Sequence, residues 1–142
     1  KKTLTAVAAA ITAGVIGSVV SVYVMSMIFR LEHVHYVSLL PKSITTAIGM
    51  GVSEEAGGIV TMTIVSIIIT GILGNIVADG WFKFIGIKEP IAKGLALGTS
   101  AHAIGTAKAL ELGEVEGAMS SLSIAVSGLM TVVIVPIMSG LI

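Results

Sequence analysis

The stretch PKSITTAIGMGVSEEAGG, from Pro41 to Gly58, places a lysine, two adjacent glutamates and several glycines between two segments that are apolar enough to cross a membrane. The rest of the chain avoids charge, since 55% of its 142 residues are hydrophobic, 11% are charged and the mean hydropathy is +1.07. This composition indicates an integral membrane protein. The formal net charge of zero argues against a nucleic-acid partner, and the lack of cysteine excludes disulfides and thiolate metal sites.

Three segments are long and apolar enough to span a bilayer, which takes about 20 mostly apolar residues. They run from Thr3 to Phe29, from Ile59 to Ala78 and from Met119 to Ile142. We therefore predict an all-α integral membrane fold with about three full spans, in a single membrane domain over residues 1–142.

Two further segments, 39–58 and 91–117, are apolar but interrupted by glycines and polar residues. They resemble each other when the chain is shifted by 56 positions. Ala47-Ile48-Gly49, five residues and Glu55-Ala56-Gly57 then match Ala103-Ile104-Gly105, five residues and Glu111-Leu112-Gly113. Because each copy precedes a span, we predict two repeat units, 39–78 and 91–142, each made of a broken segment and a helix.

The lysines predict how the two copies are oriented. The connection from Asp79 to Lys93 carries several lysines beside Trp81 and Phe82, which is typical of a cytoplasmic interfacial loop, and Lys1-Lys2 would lie on the same side. Two sites on the same side must be separated by an even number of crossings. The spans 3–29 and 59–78 already supply two, so the first broken segment is predicted to be re-entrant. The second then enters from the cytoplasmic side, which predicts an inverted repeat with both tips near the midplane.

Broken segments at corresponding places in two halves are typical of the binding site of a transporter, because unwound backbone is tolerated at membrane depth where it lines a cavity. Pro41 suits the first turn of a helix, whose free N–H groups would favour an anion beside Lys42. Alternatively, Lys42 would snorkel to the membrane surface. The predicted substrate-binding residues are Lys42, Ser43, Thr45, Thr46, Thr99, Ser100, His102, Gly105 and Thr106.

Several residues are candidates for proton coupling or for ion pairs. His102 carries the side chain that is protonated most easily near neutral pH. Glu54 and Glu55 either couple protons or only follow a capping serine at the start of the next helix. Lys108 and Glu111 are three residues apart and would pair on one helix face.

Metal binding and catalysis are not expected. His33 and His35 are two residues apart and do not share a helix face, so we predict an interfacial turn anchored by Tyr36. The segment GTSAH, Gly98 to His102, lacks the second glycine of the G-x-S-x-G nucleophile elbow, which disfavours a membrane hydrolase. We expect no enzyme activity, no metal and no cofactor.

The stretches PKSITTAIGMGVSEEAGGI (41–59) and IKEPIAKGLALGTSAHAIGTAKALELGEVEGAMSSL (87–122), with the glycine-bearing span between them, resemble the LrgB/CidB family of bacterial membrane proteins. A plastid glycolate/glycerate translocator is related to this family. The resemblance covers nearly the whole chain. It implies the C-terminal portion of a longer, multi-pass protein of the bacterial inner (plasma) membrane.

The resemblance implies two alternative functions. One is transport of small monocarboxylates such as pyruvate, glycolate, glycerate or lactate; the other is regulation of murein hydrolase export and cell lysis with a holin-like partner of LrgA/CidA type. The polar groups of the broken segments favour a carrier, because a charge at mid-membrane costs at least about 2.5 kcal/mol on insertion scales. By analogy, the inverted repeat suggests an elevator-type or rocking carrier. The expected partners are a small carboxylate, the lipid bilayer and further copies of the chain, in a homodimer or higher oligomer.

Overall fold

The computed structural model describes residues 2–142, and Lys1, which the sequence places on the cytoplasmic side, lies outside them. The described residues form six α-helices and no strand. The helices are α1 (Lys2–Phe29), α2 (His33–Leu39), α3 (Thr46–Glu55), α4 (Val60–Ile85), α5 (Pro90–Leu112) and α6 (Glu114–Ser139). The predicted all-α fold is confirmed.

Helices α1, α4 and α6 are the three helices of the described chain that are long and apolar enough to cross a membrane. Helices α4 and α6 have 26 residues each, which gives a length of about 39 Å at 1.5 Å per residue. The hydrocarbon core of a bilayer is about 30 Å thick. The predicted number of spans is therefore confirmed, and exposed side chains such as Ile28, Ile76 and Leu129 suit a lipid environment.

Helix α4 continues beyond the end of the predicted span. The predicted interfacial loop from Asp79 to Lys93 is wrong, because the chain stays helical to Ile85 and only residues 86–89 connect α4 to α5. Phe82, expected to anchor that loop, belongs to a buried apolar cluster with Leu97. This packing continues the buried face of α4 by another turn.

Helix α5 reverses its direction at His102, whose φ and ψ are 44° and −133°. A Cβ added to Gly105 would lie 2.6 Å from the carbonyl oxygen of Leu97. In a continuous helix, two residues with this separation in sequence would be about 12 Å apart along the axis. The chain therefore folds back on itself, and residues 90–112 form what we call the second hairpin.

The second hairpin packs on the first half of α6. A Cβ on Gly94 would lie 2.8 Å from the Cβ of Met119. Four residues later, a Cβ on Gly98 would overlap the Ser123 hydroxyl. The first arm therefore runs parallel to α6, and its tip reaches the middle of that helix. Small residues at these positions allow the two backbones to approach closely.

Helices α2 and α3 and their connection, residues 33–55, form the first hairpin. A Cβ on Gly49 would lie 3.6 Å from the carbonyl oxygen of Pro41 and 2.5 Å from Ile67 of α4. The tip of this hairpin therefore lies near the middle of α4. Pro41 is in the connection, so the prediction that it occupies the first turn of a helix is wrong. Backbone hydrogen bonds within the connection form turns before α3 begins.

The two hairpins enter from opposite ends of the spanning helices. The first begins beside the end of α6, where the Tyr36 hydroxyl donates a hydrogen bond of 2.9 Å to the Met138 carbonyl. The second begins beside the first half of α1, where Leu95 packs with Val7 and Ile11. The chain thus has the inverted arrangement that the sequence predicts.

Tyr36 is fully buried. Its ring meets that of Tyr23 edge-on, with 6.2 Å between the centroids. The prediction that Tyr36 anchors the chain at the membrane interface is therefore wrong, because α1 and α6 cover the short helix that carries it.

The contacts of the two hairpins correspond at the shift of 56 positions seen in the sequence. The close pair Pro41 and Gly49 of the first hairpin matches Leu97 and Gly105 of the second. Likewise, the contact of Ser38 with Thr63 matches that of Gly94 with Met119. These matched contacts support the two repeat units, whose boundaries at 39–78 and 91–142 stay a prediction.

We expect single cysteines at Glu32 and at Lys88 to be labelled from opposite sides of the membrane. Both positions are exposed, and α1, the first hairpin and α4 place them at opposite ends of the spanning helices. The measurement is labelling by a membrane-impermeant maleimide in intact and in permeabilised cells. The 142-residue sequence contains no cysteine, so the same protein without the two substitutions serves as the unlabelled control for these positions. Labelling of both positions from one side would contradict the inverted arrangement.

Candidate functional site: the meeting point of the hairpin tips

The tips of the two hairpins meet beside α1 and α6 and enclose a pocket of about 10 Å³. Its walls are Val15, Ser18, Val19, Leu40, Ser43, Ile44, Thr99, Ser127 and Thr131. We call this pocket, together with Lys42 at its edge, the tip site. Ser18 and Ser127 lie near the middle of α1 and α6, so the tip site is at mid-membrane depth. Its volume holds about one water molecule, so the site is too small for a carboxylic acid in this conformation.

Lys42 supplies the positive charge of the tip site. Its Nζ atom lies 3.4 Å from the Ser43 hydroxyl and 3.5 Å from the Ser18 hydroxyl. Ser18 in turn donates a hydrogen bond of 2.8 Å to Ser43. No carboxylate in residues 2–142 lies within 4.0 Å of this ammonium group. Because Ser18 is near the middle of α1, Lys42 does not extend to the membrane surface, and its charge faces hydroxyl groups alone.

Thr99 brings the second hairpin to the tip site. Its hydroxyl donates a hydrogen bond of 2.8 Å to the Leu95 carbonyl. A Cβ on Gly14 of α1 would lie 2.8 Å from the Thr99 hydroxyl oxygen, so the close approach of these helices requires glycine. Thr99 also separates the tip site from an apolar groove of about 1190 Å³ between α1, α4 and the second hairpin. Ser100 is exposed in that groove and bonds the Ala96 carbonyl.

His102 lies on the opposite side of the second hairpin, against α4. It is 3% exposed. Its Nε2–H donates a hydrogen bond of 2.8 Å to the Ile67 carbonyl, and a Cβ on Gly71 would lie 2.7 Å from its ring. His102 therefore fastens the tip of the second hairpin to α4 and does not line the tip site.

Four other predicted substrate-binding residues also lie away from the pocket walls. Thr106 shares a hydrogen bond of 2.7 Å with Ser120 of α6. Gly105 packs on the backbone of its own hairpin. Thr45 precedes α3 as its N-cap without a side-chain cap bond, and Thr46 begins that helix.

Glu54 and Glu55 are exposed at the end of α3. The prediction that they start the next helix is wrong. Gly57, with a φ of 76°, separates α3 from α4, and α4 begins at Val60. A glycine in this left-handed conformation commonly follows the last turn of a helix. Both carboxylates are therefore at the membrane surface, far from the tip site.

Lys108 forms two ion pairs near the end of α5. Its Nζ atom lies 2.8 Å from Asp79 of α4 and 3.5 Å from Glu111. The hydrogen bond to Asp79 raises the pKa of Lys108 above its usual value. The sequence predicts the weaker pair with Glu111, whereas the closer partner lies on another helix. These charges connect the second hairpin to α4 at the surface.

The structure brings Lys42, Ser43 and Thr99 together as the sequence predicts. It adds three polar residues of the spanning helices, namely Ser18, Ser127 and Thr131. Ser18 and Ser127 look like small residues for helix packing when the sequence is read alone. The available signal is that Ser127 and Thr131 are four residues apart and share one face of an apolar helix.

Comparison with known proteins identifies the family of this chain. The profile of the LrgB-like family matches residues 1–141. The chain is 42% identical to the antiholin-like protein LrgB of Bacillus mycoides (strain KBAB4) over 127 residues, which are 89% of this chain and 55% of that protein. It is 41% identical, over the same shares, to the antiholin-like proteins LrgB of Bacillus cereus (strain B4264) and Bacillus anthracis (strain CDC 684 / NRRL 3495).

The chain spans about half the length of these curated relatives. No solved structure matches it. The family and the three apolar spanning helices together place the protein in a membrane. The chain belongs to the LrgB-like family.

Proposed function

We propose that this chain forms the substrate-binding core of a carrier for small monocarboxylates in the bacterial inner membrane. The observation that carries the proposal is the ammonium group of Lys42, which lies at mid-membrane depth and whose hydrogen-bond partners among the described residues are the hydroxyls of Ser18 and Ser43. A charge at that depth costs at least about 2.5 kcal/mol on insertion scales. A bound carboxylate would offset this cost, because it supplies the opposite charge.

The remaining walls of the tip site suit a small acid. An ionised carboxylate has about four acceptor positions, and the Lys42 ammonium group and the Ser43 hydroxyl would donate to it. The hydroxyls of Ser18 and Thr99 donate to other protein groups in this structure and would reach a carboxylate only after rotation. Apolar side chains such as Val15 and Ile44 also line the site and would contact a short carbon chain once the site opens. These features support an acid of two or three carbons.

The small volume of the pocket implies that the hairpins move when substrate binds. Its volume of about 10 Å³ is smaller than any carboxylic acid. Because the hairpins enter from opposite sides, opening one at a time would expose the tip site to one side of the membrane at a time. This is the alternating access expected of an elevator-type or rocking carrier, and it is proposed here by analogy.

Proton coupling through the predicted residues has weaker support. His102 bonds the Ile67 carbonyl and has no contact with Lys42. Glu54 and Glu55 are at the surface. Any coupling by these groups would act through movement of the hairpins rather than through contact with the substrate.

A second candidate function is regulation of murein hydrolase export and cell lysis together with a holin-like partner of LrgA/CidA type. The observation that favours it is the name of the similar proteins from Bacillus, which are called antiholin-like. The apolar faces of α1 and α4, where Ile28 and Phe84 are exposed, would contact lipid, such a partner or a further copy of the chain.

Reconstitution of the full-length protein in liposomes tests the proposal. We expect saturable uptake of labelled pyruvate, glycolate or lactate, because the tip site holds one anion at a time. Uptake is measured with and without a pH gradient, and protein-free liposomes are the control. No flux of any of these acids, with the holin-like partner also present, would contradict the carrier. Release of a large preloaded dye in the presence of that partner would favour the second candidate.

A further inference from the structure

We infer that Ser127 of α6 is a specificity residue, which hydrogen-bonds the oxygen on carbon 2 of the substrate. The inference rests on the proposed function. Ser127 is 2% exposed and lines the tip site. Its hydroxyl has no hydrogen-bond partner in the part of the chain that the structure describes. Most buried polar groups in proteins are paired. An unpaired hydroxyl in a pocket wall is unusual, and it is available to bind a ligand group.

The neighbouring serines of α6 show that the free hydroxyl is not a general property of this helix. Ser123 donates a hydrogen bond of 2.9 Å to the Ser120 carbonyl, and Ser120 pairs with Thr106 at 2.7 Å. A helical serine usually has such a carbonyl within reach, three or four residues before it. Ser127 forms no such bond and lies in the pocket wall.

Ser26 of α1 provides a matched control within the same chain. It is 1% exposed, and its hydroxyl also has no partner among the described residues. Ser26 does not line the tip site. The two serines therefore differ in location and not in burial or pairing.

The chemistry of the two kinds of donor assigns them to different parts of the substrate. An ammonium group donates hydrogen bonds only, so Lys42 suits the carboxylate. A serine hydroxyl both donates and accepts, so Ser127 would donate to a keto oxygen and would pair with a hydroxyl in either direction. Acids with oxygen on carbon 2 would satisfy Ser127, whereas propionate would leave it unpaired.

The experiment compares the wild-type full-length protein with Ser127→Ala and Ser26→Ala in liposomes. Uptake of labelled lactate or pyruvate is measured with unlabelled lactate, pyruvate and propionate as competitors. The wild-type protein is expected to prefer lactate and pyruvate over propionate by up to about tenfold, since one lost hydrogen bond costs about 0.5–1.5 kcal/mol and about 1.4 kcal/mol is tenfold in affinity. Ser127→Ala should remove this preference by weakening lactate and pyruvate. Ser26→Ala should behave as wild type.

Thermal unfolding without substrate separates binding from structure. Ser127→Ala and Ser26→Ala each remove an unpaired buried hydroxyl, so the two variants should have similar Tm values. Unchanged preference in Ser127→Ala would overturn the inference and leave the carrier standing. Lost preference with a Tm several degrees below that of Ser26→Ala would also overturn it, because the serine would then be structural. Absence of wild-type uptake of both labelled lactate and labelled pyruvate would overturn both the inference and the proposed function.

Discussion

Lys42→Met is expected to lower the affinity for small acids about 100-fold and, at the same time, to make the substrate-free protein more stable. A hydrogen bond to a charged group contributes about 1.5–3 kcal/mol, and the tip site has no second cation to replace it in the described chain. The same substitution removes an ammonium group that is paired with two hydroxyls and with no carboxylate in residues 2–142. Binding and stability should therefore change in opposite directions.

The measurements for Lys42→Met are competition uptake in liposomes and unfolding of the substrate-free protein in detergent. Lys88→Met is the matched control, since Lys88 is exposed in the connection between α4 and α5. It should leave both properties near those of wild type. A Lys42→Met protein that binds acids normally would contradict the role of this lysine in substrate binding. One that is strongly destabilised would show that the lysine has a structural role.

Gly98→Ala is expected to destabilise the protein by about 3 kcal/mol and to abolish uptake. A Cβ at this position would overlap the Ser123 hydroxyl and the backbone carbonyl oxygen of Ser120. The backbone of α6 has no room to relax without moving away from the second hairpin, and over-packing of this kind costs typically 1–3 kcal/mol or more. Thr99 is the next residue, so the displacement would also open the tip site.

Gly80→Ala is the matched control for this substitution. Gly80 also lies inside a helix, α4, and nothing lies within 4 Å of a Cβ added there. Replacing a helical glycine by alanine without a clash stabilises a helix by about 0.5–1 kcal/mol. Unfolding of both variants by a denaturing detergent measures the difference. Equal stability of Gly98→Ala and Gly80→Ala would contradict the tight packing of the second hairpin on α6.

The sequence predicts several features of the site correctly because they depend on composition along the chain. Hydropathy identifies α1, α4 and α6 as spans, and the shift of 56 positions pairs the first hairpin with the second. The positions of Ser43 and Thr99 correspond in this alignment, and both line the tip site. Local sequence is sufficient here, since each hairpin is formed from one continuous stretch.

The errors concern residues whose role depends on another part of the chain. Tyr36 looks like an interfacial aromatic, but α1 and α6 bury it. Phe82 looks like a loop anchor until it packs against the second hairpin. The role predicted for His102 stays a prediction, but its placement also depends on another helix, since its ring bonds the Ile67 carbonyl of α4. In each case, a helix distant in sequence decides the contact.

The sequence alone determined that this chain is a helical membrane protein with two corresponding broken segments, because hydropathy and glycine spacing act within each segment. The tertiary structure decided which polar groups share one pocket. Ser18, Ser127 and Thr131 join Lys42 only because the second hairpin reverses at His102 and the tips meet between α1 and α6. The rotation of each helix about its axis and the point at which the hairpin reverses determine which side chains meet. Both are fixed by contacts between helices that are distant in sequence.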